Sequence, residues 1–156
     1  MNISNWFNFD PFEGKVKKSA GVIIILNQDK VLLCHPTNSK WFGTYSFPKG
    51  QVDTGETPIQ TAIRELKEEV SITISESQIS NPKDPIVVEY DRKGKKYKMV
   101  YLYTVYINKL SEIGLESEII PKESLQLSEI DWAGFLTFRE ADKRIFKRFH
   151  YLLDVV

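Results

Sequence analysis

The sequence predicts a single domain of the α/β or α+β class. Three observations predict it. The chain has 156 residues, enough for one domain with a real core. Apolar runs of strand length alternate with only a few helical patterns. No internal repeat, linker or low-complexity stretch divides the chain, so the domain is expected to span residues 1–156.

The elements follow in order. Gly21 to Leu26 (GVIIIL) is apolar and rich in Ile, and reads as a buried strand. Asn27 to Lys30 is a polar turn, and Val31 to His35 returns as a second strand of a hairpin. Pro36 to Thr44 is a loop. Tyr45-Ser46-Phe47 reads as a short strand ended by Pro48, and Lys49 to Glu56 (KGQVDTGE) as a loop. Thr57 to Val70 reads as a helix. Pro58 suits its first turn, where a missing N–H costs nothing, and Ile59, Ala62, Ile63, Leu66 and Val70 form one apolar face. Ile72 to Ile74 suggests a short strand, and Gln78 to Pro85 a loop. Val87 to Tyr90 and Tyr97 to Ile107 form a hairpin around Arg92-Lys93-Gly94-Lys95. Ser111 to Leu127 is a long polar loop, and Ile130 to Phe138 holds a strand. Arg139 to Val156 is expected as one closing amphipathic helix, with Ala141, Ile145, Phe149 and Leu152 or Leu153 inward.

Composition narrows the function. Lys plus Arg equals Asp plus Glu, 21 against 21, so no basic excess supports a general nucleic-acid or DNA coat, although a local basic patch remains allowed. Cys34 is the one cysteine, so no intrachain disulfide is possible, which fits a reducing compartment. It follows Val31, Leu32 and Leu33 and is expected to be buried and inert. The longest apolar run, Ala20 to Leu26, is far short of the roughly 20 residues of a membrane span. The first residues lack the pattern of a secretory signal, and Trp6, Phe7, Phe9 and Phe12 are expected to pack on the domain. The expected location is the cytoplasm.

The chemistry centres on the helix from Thr57. Glu65, Glu68 and Glu69 share a stripe, expected opposite its apolar face, at spacings where like charges repel. A hard cation such as Mg²⁺ or Mn²⁺ would turn that repulsion into ligation; a solvated acidic face is the alternative. A Gly-containing loop enters the helix directly. Lys49 in that loop can approach phosphate, and Arg64 can pair with Glu68 or Glu56.

Gly50 through Ile72 reads GQVDTGETPIQTAIRELKEEVSI and resembles the Nudix box. Eight of its nine specified positions match, at Gly50, Glu56, Arg64, Glu65, Leu66, Glu68, Glu69 and Ile72. The ninth is Ser71, where the family has Gly just past the helix end. A serine held there in the left-handed conformation should cost on the order of 1 kcal/mol.

The resemblance implies a Nudix α/β/α sandwich with a mixed sheet. It implies Glu65, Glu68 and Glu69 as metal ligands, a backbone carbonyl of Lys49 or Gly50 nearby, and Glu56 with Arg64 as a pair bracing loop against helix. Ser128-Glu129-Ile130, ahead of an expected strand, is similar to a region where related hydrolases carry a further acid. Glu129 is therefore a candidate ligand or general base, with an ordinary loop glutamate as the alternative and Glu116, Glu118 and Glu123 as competitors.

Phe47-Pro48-Lys49-Gly50 followed by Gly55-Glu56 resembles diadenosine-polyphosphate hydrolases, with RNA 5′-pyrophosphohydrolases and decapping relatives close behind. The implied reaction is divalent-metal-dependent cleavage of a phosphoanhydride in a dinucleoside polyphosphate such as diadenosine tetraphosphate. RNA 5′-pyrophosphate removal is the second reading and a nucleoside triphosphate the third. The partner is then a small nucleotide or an RNA 5′ end. Tyr90, Tyr45 or Trp41 could stack on a base, or pack in the core. Lys96 and Lys98 alternate along a strand and are expected on one face, which is more readily a solvated strand face than a phosphate contact. His35 is a weaker candidate for substrate contact, and His150 is expected to be structural. A non-catalytic binding module would be favoured by loss of box carboxylates, and none is lost.

Overall fold

A computed structural model describes residues 16–156. The packing expected of Trp6, Phe7, Phe9 and Phe12 lies outside the described residues. The elements are β1 (Lys17–Leu26), β2 (Lys30–Pro36), β3 (Lys49–Gln51), α1 (Pro58–Val70), β4 (Ile86–Arg92), β5 (Lys95–Ile107), β6 (Ile130–Thr137) and α2 (Phe138–Arg144), followed by a 3₁₀ helix at Lys147–Asp154.

The sheet is mixed, with the order β4-β5-β1-β2-β6 and β3 added beside β1. β1 runs parallel to β5 along its whole length, from Lys17 opposite Lys98 to Leu26 opposite Ile107. Its other edge is shared: β2 pairs antiparallel with the far end at Ile25 and Leu26, and β3 pairs antiparallel with Ser19, Ala20 and Gly21. β1 is apolar throughout its inner stretch because both faces are covered, and alternate residues serve opposite cores. Val22 and Ile24 join Ala62, Leu66 and Val70 of α1. Ile23 and Ile25 join Ala141, Ile145, Phe149 and Leu152 on the opposite face. The expected α/β/α layering is therefore present. Cys34 is fully buried, as its apolar run implied.

α1 begins with a capping box. Thr57 accepts from the Gln60 N–H at 3.4 Å, and the Gln60 side chain accepts from the Thr57 N–H at 3.0 Å. It ends at Ser71, which is left-handed (φ 59°, ψ 30°), the geometry expected where the family has Gly. The serine hydroxyl donates to the Ser124 carbonyl at 2.7 Å, a bond that glycine could not make.

Several expected elements differ. Lys49–Gln51, expected as loop, is the strand β3, specified by its partner β1 rather than by its own residues. Tyr45 to Phe47 makes only isolated bridges, Cys34 with Ser46 and Tyr45 with Ile145. Ile72 to Ile74 belongs to no strand, although Ile72 and Ile74 are buried. The loop after Ser111 contains a 3₁₀ turn at Lys122–Ser124, and another at Leu110–Ile113 precedes it.

The closing helix is broken. Ile145 and Phe146 are extended (ψ 144° and 133°), and the 3₁₀ helix follows. The cause is tertiary: Thr44 and Tyr45 N–H groups donate to the Arg144 carbonyl, and the Phe146 N–H donates to the Tyr45 carbonyl. Ala141, Ile145, Phe149 and Leu152 are nonetheless all buried, so two short pieces satisfy the inward positions expected of one helix.

The β4–β5 hairpin forms around Lys93 and Gly94, both at positive φ (53° and 79°), as a tight two-residue turn requires. A bulge then shifts the register: Asp91 faces Lys96, but Tyr90 faces Lys98. The extra residue, Tyr97, separates Lys96 from Lys98 in facing, contrary to the expected alternation. Lys96 pairs with Glu89 at 3.0 Å, whereas Lys98 lies over the Tyr90 ring at 5.1 Å.

Candidate functional site

The site forms where α1 passes β3. Glu69, expected on the solvent side of the helix, is turned toward the sheet and is only 7 % exposed. The Lys49 N–H at the start of β3 donates to its Oε1 at 3.0 Å. A position flanking the apolar stripe can point either way, and β3 against α1 turns this one inward. Glu65 is mostly buried and Glu68 half-exposed. These three, with Lys49, Gly50, Gln51, Gln126 and Glu129, line one cleft of about 350 Å³.

Gly50 has a steric role. A Cβ there would lie 2.0 Å from the Glu65 carboxyl carbon, so only glycine lets that carboxylate lie against β3. Glu129 is brought in by its loop. The Gln126 N–H donates to the Glu69 carbonyl at 3.0 Å, and the Glu129 N–H donates to the Gln126 carbonyl at 2.8 Å. The competing acids lie elsewhere: Glu118 pairs with Lys30 at 2.8 Å, Glu116 lines a separate cleft beyond the helix end, and Glu123 sits in the 3₁₀ turn.

Arg64 joins the helix to the loop before it. Its Nε and Nη2 donate to the two oxygens of Glu56 (2.7 and 3.0 Å), and Nη1 donates to Glu65 (2.9 Å) and Glu68 (3.0 Å). Nη2 also donates to the Gln51 carbonyl and lies 3.3 Å from Asp53. The buried Thr61 hydroxyl donates to Glu56 at 2.8 Å. Both expected partners of Arg64 are therefore engaged at once. Asp53, Thr61, Gln51 and Gln126 were not foreseen; only the acid of Asp53, inside the glycine loop, gave a signal that could have been read.

The electrostatics are those of crowded carboxylates. Burial pushes Glu69 up to about 8; the Lys49 N–H opposes this, the Glu65 charge adds to it, the Lys49 ammonium opposes, and Glu129 adds again. Burial also raises Glu65, against the pull of Arg64. Glu56 is held at about 2, chiefly by Arg64, then by the Asp53 N–H and Thr61. Burial lowers Lys49, while Glu69 raises it. Lys98 is lowered by burial, then by the charges of Lys49 and Lys17.

The donor set fits a hard divalent cation. Its oxygens are carboxylates, one of them buried and repelled by two neighbours, a repulsion that such an ion would reverse. Glu65 and Glu68 turn toward Arg64, and among the described residues no three acids yet gather around one point. Ligation would need their side chains to rotate.

The aromatic candidates fare differently. Tyr45 is buried, and its hydroxyl accepts from Arg144 at 3.1 Å. Tyr90 is 9 % exposed, with Arg148 4.1 Å and Lys98 5.1 Å from its ring centre and Tyr97 and Phe149 edge-on. Both rings are packed in the second core rather than open to a base. His35 is 1 % exposed and fully engaged: Nδ1 lies 2.5 Å from Asp131 and Nε2 2.9 Å from the Lys40 carbonyl. His150 pairs with Asp142.

A mixed sheet lies between helical layers, with an acid cleft where a glycine-bearing loop meets α1. The NUDIX domain family matches residues 15–149, and the chain belongs to that family. Hydrolases of this family generally use divalent metal.

The chain is 34 % identical over 85 residues to an RNA pyrophosphohydrolase of Pseudoalteromonas translucida, covering 53 % of this chain and 42 % of that protein. It is 25 % identical over 139 residues to the mRNA-decapping enzyme subunit 2 of Saccharomyces cerevisiae, 89 % of this chain but 12 % of that one. It therefore spans less than half the length of these two relatives. Among solved structures it resembles a C. elegans Ap4A hydrolase binary complex, with TM-score 0.63 and 26 % identity, covering 89 % of this chain and 93 % of that one. Among the described residues no helix is long and apolar enough to cross a membrane.

Proposed function

We propose that the protein is a divalent-metal-dependent hydrolase of phosphoanhydride bonds in nucleoside-diphosphate-linked substrates, with dinucleoside polyphosphates such as diadenosine tetraphosphate first. The observation that carries this reading is Glu69, a buried carboxylate facing Glu65 and Glu129 with Lys49 beside it. Glu65, Glu68, Glu69 and Glu129, with the Gly50 carbonyl, would hold Mg²⁺ or Mn²⁺. Such an ion, when bound, polarises a phosphoryl oxygen and offsets the charge of the phosphate chain. Glu129, at the open side of the cleft, is the candidate to take a proton from the attacking water. Lys49 and Lys98 would hold the rest of the chain. Arg64 and Glu56 would keep the helix and loop in register, so that the carboxylates meet the substrate in one geometry. Nucleotide and RNA substrates fit a cytoplasmic location.

The likeness to an Ap4A hydrolase structure supports the dinucleotide reading. A specific observation favours a second: the RNA pyrophosphohydrolase relative is 34 % identical over the segment it shares. RNA 5′-pyrophosphate removal is that second reading, with nucleoside triphosphates behind it. The test is a panel of diadenosine tetraphosphate, 5′-triphosphorylated RNA and nucleoside triphosphates, each with Mg²⁺ or Mn²⁺, with products identified by mass. Fastest cleavage of the dinucleotide supports the first reading, and RNA ahead of it promotes the second. Full turnover in excess EDTA would overturn the metal-dependent site.

A further inference from the structure

We infer that the cleft between Trp41 and Trp132 seats a nucleobase of the substrate and favours guanine over adenine. The inference rests on the hydrolase reading above, shifts its preferred dinucleoside polyphosphate from the diadenosine form to one that carries guanine, and supplies a base contact, since Tyr45 and Tyr90 are packed away.

Trp41 is 51 % exposed, yet its ring is held. It lies flat on the His35 imidazole, with centroids 3.8 Å apart and planes 3° from parallel. His35 is itself fixed by Asp131 and the Lys40 carbonyl. A large ring presented to water on a rigid backing is pre-organised for stacking. Its remaining surface lines a cleft of about 230 Å³ with Tyr45, Trp132, Leu136 and Arg144. Aromatic walls around so small a space suit one planar heterocycle rather than a sugar or a phosphate.

The polar end of the cleft is Arg144. Its Nη1 donates to the Tyr45 hydroxyl, but its Nε–H is buried without a hydrogen-bond acceptor, with the Glu140 carboxylate only at 3.5 Å. A guanidinium has donors only. The ligand should therefore bring acceptors. Guanine offers two neighbouring ones, O6 and N7, whereas adenine offers N7 beside an amino donor. A positively charged base would be repelled.

The cleft is also within reach of the acids. Trp132 lies three residues beyond Glu129, at most roughly 10 Å of extended chain. The loop that carries Trp41 is tied to the same place, since the Thr37 N–H donates to the Glu129 carbonyl at 3.0 Å. A nucleotide with its base against Trp41 can thus present its phosphates to the acid cleft.

The test is calorimetric titration of the metal-free protein with GMP, AMP and CMP. GMP should bind tightest and CMP weakest. Trp41→Ala should weaken GMP by roughly 5- to 150-fold, the range for loss of one stacked base. Inosine monophosphate, which keeps O6 and N7, should bind the unaltered protein like GMP, and 2-aminopurine riboside monophosphate, which lacks O6, like AMP. With a hydrolysed dinucleotide, the Trp41→Ala loss should fall on KM. Equal affinity for GMP and CMP, or an unchanged Trp41→Ala, overturns the base seat. If turnover that depends on Glu69 survives alongside that result, the hydrolase reading stands without it. If GMP binding behaves as expected and no phosphoanhydride substrate is cut, the hydrolase reading alone fails.

Discussion

Glu69 couples the site to pH. Its folded value of about 8 lies above its usual 4.5, so between those values the folded protein holds a proton that the unfolded chain has released. Stability of the metal-free protein should therefore fall as pH rises from about 5 to 8. Glu69→Gln, which mimics the protonated form, should flatten that slope in thermal melts, and a saturating divalent ion should also flatten it by holding the ionised form. Glu56 has the opposite sign in a separate window: its value near 2 gives stability that is lost only as pH falls below about 4.5. The same Glu69→Gln change should lower turnover by more than the roughly 10- to 100-fold typical of a ligand's outer partner. Ser71 offers a second residue-scale check. Ser71→Gly relieves the left-handed strain but loses the bond to Ser124, two effects of about 1 kcal/mol each and opposite in sign. Its melting temperature should change little, whereas Ser71→Ala keeps the strain, loses the bond and should melt earlier.

At the scale of elements, β3 and α1 act as a pair. Gly50→Ala would drive a methyl group into the Glu65 carboxylate, the mobile end of a side chain, so the strand should survive while the acid swings away. Turnover and metal affinity should fall with an unchanged circular dichroism spectrum; a collapsed spectrum would mean that Gly50 holds the strand instead. Arg64→Ala should likewise lower turnover without unfolding, because the apolar face of α1 is untouched while Glu56, Glu65 and Glu68 lose their common partner. Legibility in the sequence also divides by element. α1, β1, β2 and the β4–β5 hairpin carry their own periodicity, caps or turn residues, and they could be read locally. β3 could not, since three residues with two intermediate and one exposed take their conformation from β1. Nor could the break at Ile145, because an intact helix and two short pieces demand the same inward positions, and only the pairing of Tyr45 decides between them. The box residues were legible through their fixed spacing. Gln51 and Gln126 were not, because one acts through a backbone carbonyl and the other through a backbone N–H set by loop geometry, whereas the acid of Asp53 in the glycine loop was open to reading.

For the whole molecule, zero net charge hides an uneven surface. Lys17 and Lys98 face each other across β1 and β5, and Lys49 is near enough to lower Lys98, beside a cleft of four glutamates. Local charge of this kind should steer a polyanion even when the total is zero. For a polyphosphate substrate, kcat/KM should decline as NaCl rises from 50 to 500 mM, since the screening length drops below about 10 Å near 0.1 M. Lys98→Gln should lower kcat/KM at low salt and weaken its dependence on salt. A profile indifferent to salt in both proteins would remove Lys98 from the phosphate path.

The pairing of Tyr45 with the chain after α2 ties the Trp41 loop to the C-terminal segment through amide protons that can be followed one by one. Thr44, Tyr45 and Phe146 donate the three hydrogen bonds of that junction. Their exchange with deuterated solvent should occur together, in a single opening event, because releasing Tyr45 frees all three at once. A base lodged between Trp41 and Arg144 would have to be expelled before the junction opens, so GMP should slow all three amides by one common factor and leave the β4–β5 hairpin exchanging as before.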